Sequence, residues 1–160
     1  MTLWADADSL PPGVRDLCAR RGGKQLTETE VIEVIFVAAK KIPLLPTDGC
    51  KSICVAKPDN ADDYIIANAK PGDIIVTRDI PLASRALQAG LHALNDRGTI
   101  WTADSVRERL SIRDQMESLR QAGLAPMAGG GSFGKKELSA FANALEKTIQ
   151  LCQKQFTRSG

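Results

Sequence analysis

Residues 71–83 read Pro71-Gly72-Asp73-Ile74-Ile75-Val76-Thr77-Arg78-Asp79-Ile80-Pro81-Leu82-Ala83. Ile74 to Thr77 is a short β-branched run with no polar alternation, which is the pattern of a strand buried on both faces. Pro71-Gly72 breaks the chain before it. Beyond it, Leu82, Ala83, Ala86, Leu87 and Gly90 recur at helical spacing. A fully buried strand running into a helix is half of a parallel-sheet unit.

The same alternation extends in both directions. Leu3-Trp4-Ala5 reads as a first strand. A helix after Pro11-Pro12 carries Val14, Leu17 and Cys18 on one face and stops at Gly22-Gly23. Val31 to Ala38, interrupted by Glu33, and Ile53 to Ala56 read as further strands. Pro58-Asp59 opens a helix to about Ala69, with Asp59 as its expected cap. Leu91–Leu94 and Gly98–Trp101 are shorter strand candidates. Ser105 and Glu108 have capping-box spacing, and the helix they open passes Val106, Leu110, Ile112, Met116 and Leu119 to about Gln121. Gly123 to Gly134 is a Gly/Pro/Ala-rich loop expected to be mobile. A final helix carries Leu138, Phe141, Ala142, Leu145, Ile149 and Cys152. The pattern predicts one three-layer α/β domain over residues 1–160 with a mostly parallel central sheet and a C-terminal helix.

Composition narrows the function. The 160 residues hold 21 Lys and Arg against 19 Asp and Glu, which excludes a strongly basic nucleic-acid grip. Aromatic residues make up 4%, too few for rows of stacked bases. Residues 1–63 carry ten acids and eight bases, and residues 64–160 carry nine and thirteen. The longest strongly apolar run, Val34 to Ala39, is too short for a bilayer, and no secretory signal is read at Met1 to Asp6. A cytoplasmic protein with reduced thiols is expected. Cys18, Cys50, Cys54 and Cys152 read as small core residues rather than a zinc site, since His92 is the one histidine. His92, Trp4 and Trp101 read as structural.

In open parallel sheets ligands bind beyond the carboxyl ends of the strands, so acids directly after strands carry the information. Asp6 and Asp8 follow the first strand, and in extended chain they point the same way. Asp79 follows Val76-Thr77 and precedes a helix, where it can serve as a cap or as a ligand. Asp62 lies in the first turn of its helix, on the face shared by Ile65, Ile66 and Ala69. There it suits the helix dipole, but it also lies nearest the strand tips. Three separate segments thus bring a carboxylate to one sheet edge. Clustered carboxylates repel unless a cation neutralises them, and oxygen-rich sites suit Mg²⁺ or Mn²⁺.

Several stretches together resemble the YaiI/YqxD family of bacterial proteins. They are Asp6-Ala7-Asp8, residues 59–65, residues 71–83, Thr102-Ala103-Asp104, residues 107–114 and residues 141–145. The chain departs from the family at Ser9-Leu10-Pro11-Pro12 and Ala38-Ala39-Lys40-Lys41. The family is similar to PIN-like domains, whose relatives are often metal-dependent ribonucleases. The resemblance implies a PIN-like fold with metal-holding acids at Asp6, Asp62 and Asp79, supported by Asp8, and RNA as substrate. Asp59 and Asp104 are second-line candidates. Arg107, Arg109 and Arg113 crowd one helix and would hold phosphates if that helix borders the acids; otherwise they form a solvated face with Glu108 and Asp114.

Two other classes remain open. A non-catalytic RNA- or protein-binding module would keep the same fold. Asp6-x-Asp8 after a strand also fits a haloacid-dehalogenase-like phosphatase, in which the first Asp is a nucleophile. A P-loop is excluded, because Lys136 stands where Gly129-x-x-x-x-Gly134-Lys135 requires Ser or Thr.

Overall fold

The computed structural model describes residues 1–43, 47–124 and 131–159. Its strands are β1 (Thr2–Asp6), β2 (Glu33–Ala38), β3 (Cys50–Cys54), β4 (Ile74–Val76), β5 (His92–Leu94) and β6 (Ile100–Trp101). Its α-helices are α1 (Pro12–Ala19), α2 (Ala61–Asn68), α3 (Ile80–Gln88), α4 (Ala103–Gln121) and α5 (Lys135–Ser159). A single 3₁₀ turn, Ala7–Ser9, joins β1 to α1.

The six strands form one sheet in the order β3-β2-β1-β4-β5-β6. All pairings are parallel except β5 with β6. Helices cover both faces. Leu3, Ala5, Val34, Phe36, Ile74 and Val76 point one way, against Val14 and Cys18 of α1 and Phe141 and Leu145 of α5. Trp4, Ile35, Val37, Ile75 and Ala93 point the other way, against α2, α3 and the start of α4. Covering on both sides is why the central strands read as unbroken apolar runs. The expected three-layer α/β architecture is present.

This strand order places the site. From β1 the chain builds β2 and β3 to one side, and it builds β4 and β5 to the other. The direction reverses between β1 and β4, and the carboxyl ends of those two strands border the crevice where doubly wound sheets bind ligands.

Several boundaries differ from expectation. Val31 makes only an isolated bridge with Gln25, and β2 begins at Glu33. β3 starts at Cys50 rather than Ile53, because Val34 to Ala38 pair in register with Cys50 to Cys54. Asn60, not Asp59, caps α2: its side chain accepts from Asp63 N at 2.8 Å. The capping box of α4 is Thr102 with Ser105, one step earlier than Ser105 with Glu108. In α4 only Val106 is buried, and Ile112 and Leu119 stay 41% and 38% exposed. Of the loop expected to be mobile, residues 125–130 lie outside the described residues.

All four cysteines are free thiols. Cys18 and Cys152 are buried as expected, and burial pushes the Cys18 thiol up to about 12. Cys54 is exposed and Cys50 half-buried, because β3 is an edge strand. Trp4 and Trp101 are core residues. Among the described residues, no helix is long and apolar enough to cross a membrane.

Candidate functional site

Asp6 is the last residue of β1, at the reversal point, and is 6% exposed. Its Oδ2 accepts the Thr77 hydroxyl at 2.6 Å from the end of β4. That same hydroxyl accepts the Asp79 N–H at 2.9 Å. A hydroxyl with one hydrogen that already accepts from a backbone N–H has a fixed donor direction, so Thr77 orients the Asp6 carboxylate. Ser9 adds a second tie. Its hydroxyl donates to the Asp6 carbonyl at 3.0 Å and accepts from Arg78 N at 3.2 Å.

Burial pushes the Asp6 carboxyl up. The Thr77 hydrogen bond pulls it down, and the charges of Asp79 and Asp8 push it further up. Asp62, half-buried in the first turn of α2, is also raised, first by burial and then by the charges of Asp6 and Asp79. Arg85, the nearest relief for Asp62, is spent on Asp63 at 2.8 Å. The Asp62 carboxylate makes no hydrogen bond or ion pair among the described residues. Asp79 is the N-cap of α3, and its Oδ1 accepts from Leu82 N at 2.9 Å. Asp79 is therefore both a helix cap and a charge felt by its two neighbours.

The other expected residues separate. Asp8 does not continue the extended chain: it sits in the 3₁₀ turn, exposed, with Oδ2 accepting from Ala39 N at 2.6 Å. It ties β1 to the end of β2 rather than pairing with Asp6. Asp59 is exposed in the turn before α2. Asp104 lies at the opposite edge of the sheet, because β6 runs antiparallel and delivers α4 there. It is almost fully exposed and pairs with Arg107 at 3.5 Å. Arg107 accordingly lies against the far end of α3, beside Leu87 and Gln88. Arg109 is exposed and makes no hydrogen bond or ion pair among the described residues. Arg113, two turns further along α4, lines a cleft with Arg78 and Asp79.

One residue at this edge escaped the sequence reading. Asp96 follows β5, is 2% exposed, and accepts from Arg78 Nε at 2.6 Å. The rule that singled out Asp6 and Asp79, an acid just after a strand, applies equally to Leu91-His92-Ala93-Leu94-Asn95-Asp96.

The donors at the edge are all hard oxygens, which suit Mg²⁺ or Mn²⁺. Among the described residues, however, no three His, Cys, Asp or Glu side chains are arranged to hold a metal ion. Asp6 feels the charge of Asp79, and Asp62 feels those of Asp6 and Asp79, but the three do not form a ready three-ligand shell. A cation at this edge would have to be held the way Mg²⁺ commonly is, by one or two carboxylates with water completing its shell.

Residues 4–151 match the family described as "Uncharacterized BCR, YaiI/YqxD family". The chain is similar to a "UPF0178 protein" of Treponema denticola, 40% identical and covering 97% of this chain and 96% of that one. It is 39% identical to a "UPF0178 protein" of Treponema pallidum, covering 100% of this chain and 90% of the other. A "UPF0178 protein" of Psychromonas ingrahamii is 38% identical, over 96% and 99% of the two chains. No solved structure matches the chain. Matched nearly end to end by the family and by relatives of its own length, the chain belongs to the YaiI/YqxD family.

Proposed function

We propose that the carboxylate edge at the β1/β4 reversal is the site of a divalent-cation-assisted phosphodiesterase, ribonuclease-like, acting on RNA. One observation carries the reading: Asp6 and Asp62 are held in surroundings that raise their carboxyl pKa values, each also by a neighbouring charge of the same sign, while among the described residues no cation forms an ion pair with either. A fold keeps such repulsion only at a cost, and perturbed carboxylates in a cleft mark functional sites. Asp6 and Asp79 would hold the cation, and Asp62 would add charge from the facing helix. The cation supplies Lewis acidity and offsets negative charge on a phosphodiester. The chain's own part is to fix the carboxylates: Thr77 aims Asp6, and the α3 cap fixes Asp79. The relation to PIN-like domains points the same way.

A non-catalytic RNA- or protein-binding module with the same fold is the second reading. The phosphatase reading loses support, since Asp8 is committed to Ala39 N. The test compares wild type with Asp79→Asn on single-stranded RNA with Mn²⁺ or Mg²⁺. The variant should be about a hundredfold slower or worse. Equal rates in the two proteins would reject the site, and RNA binding by wild type without any cleavage would favour the binding module.

A further inference from the structure

The cleft beside the carboxylates is about 280 Å³ and is lined by Arg78, Asp79, Ile80, Pro81 and Arg113. Its two arginines come from different elements and are held differently. Arg78 follows β4 and is locked from behind by Asp96, through Nε at 2.6 Å and Nη2 at 2.5 Å. Both contacts use one carboxylate oxygen, and the Asp96 side chain is 3% exposed while that of Arg78 is 45% exposed. A buried carboxylate is costly unless paired, so this ion pair fixes the guanidinium, and its remaining N–H donors have no partner among the described residues. Arg113 reaches the same cleft from α4 and is exposed. Its side chain makes no hydrogen bond or ion pair among the described residues. Two arginines, one with its guanidinium immobilised and one with its side chain uncommitted, therefore line one cleft with Asp79.

We infer that Arg78 and Arg113 form a clamp for a phosphate of a nucleic-acid backbone, next to the carboxylates that would act on the neighbouring phosphodiester. This rests on the proposed phosphodiesterase reading of that edge. Planar N–H forks match phosphate oxygens, and an uncommitted arginine gives up no existing bond to bind one. The cleft suits a backbone rather than a free nucleotide. Its lining has no aromatic side chain for a base to stack on, so it holds a phosphate and leaves the base outside. Affinity must then come from a polymer that continues past the clamp.

The test measures anisotropy of a fluorescein-labelled short oligouridylate in EDTA, where no metal-dependent cleavage occurs, across a salt series. Arg113→Gln should weaken binding about tenfold and lower the slope of log K against log salt by about 0.7. Arg78→Gln should do the same when combined with Asp96→Asn, which avoids a buried unpaired charge. Arg107→Gln, six residues before Arg113 on α4 and outside the cleft beside Leu87 and Gln88, should leave both quantities unchanged. The clamp is overturned if wild type does not bind, if Arg113→Gln binds like wild type with the same slope, or if Arg107→Gln weakens binding as much. Clamp-dependent binding by a wild type that never cleaves RNA would keep the clamp and reject hydrolysis. Asp79-dependent cleavage with normal binding by Arg113→Gln would reject only the clamp.

Discussion

The Thr77 hydroxyl donates to Asp6 Oδ2 at 2.6 Å, joining the ends of the two strands between which the sheet reverses direction. This bond steadies a carboxylate that its surroundings would rather keep neutral. Burial and the nearby charges of Asp79 and Asp8 raise the Asp6 pKa, and the Thr77 bond opposes them. The chain thus invests hydrogen bonding in keeping a strained charge at one place.

The first prediction concerns that charge. Because the Asp6 pKa is raised above 3.8, the native state binds its proton more tightly than the unfolded state does. Stability therefore falls as pH rises from about 3.8 through the native value, and the deficit persists at neutral pH. Asp6→Asn lacks the deficit and can still accept from Thr77. It should melt about 2–4 °C higher than wild type at pH 7 and show no such gain at about pH 3. RNA cleavage should be lost in the same protein. Calorimetry at both pH values checks the stability half, and an unchanged or lower melting point at pH 7 would contradict it.

The second concerns Thr77, which is 1% exposed. Thr77→Val keeps the shape but leaves Asp6 Oδ2 without its donor and Asp79 N without its acceptor. The expected loss is about 1–3 kcal/mol in urea unfolding. Thr77→Ser, which keeps the hydroxyl, should recover most of the bonding term. If both variants lose the same amount, the effect is packing and not the bond.

How much of this was legible follows from range. The β4–α3 unit could be read directly, because a strand covered on both faces leaves a continuous apolar signature at 74–77. Asp6, Asp62 and Asp79 could be placed at one edge by counting along regular elements. Asp8 could not, because the chain leaves the extended form at Ala7 and its partner, Ala39 N, is 31 residues away. Asp104 was misplaced because β6 runs antiparallel, and no local pattern in Gly98 to Trp101 encodes that direction. The partnership of Arg78 and Asp96 is likewise a contact between two strand ends that only the assembled sheet brings together.

The third prediction separates a structural carboxylate from the site. Asp73 precedes β4 at the amino edge of the sheet and is 7% exposed. It accepts from Thr2 N at 2.9 Å, Trp4 Nε1 at 3.1 Å and Lys70 N at 2.9 Å. Asp73→Ala strands those donors and should cost about 3 kcal/mol or more. Its tryptophan fluorescence should change, since the Trp4 indole loses its partner. Cleavage per folded molecule should match wild type. A specific loss of activity in the folded variant would mean that the two sheet edges are coupled.

The last prediction uses the double role of Asp79. As N-cap it accepts from Leu82 N, and Asn fills that position about as well as Asp, whereas Ala does not. Asp79→Asn should therefore fold with nearly wild-type stability, and Asp79→Ala should lose about 1 kcal/mol. Both remove the carboxylate charge that raises Asp6 and Asp62, so both carboxyls should titrate lower than in wild type. NMR titration of the two carboxyls measures this directly. If cleavage depends on the Asp79 charge, the two variants should be equally inactive despite unequal stability. If Asp79→Asn is fully active and only Asp79→Ala is impaired, Asp79 is a cap and nothing more, and the proposed cation site is rejected.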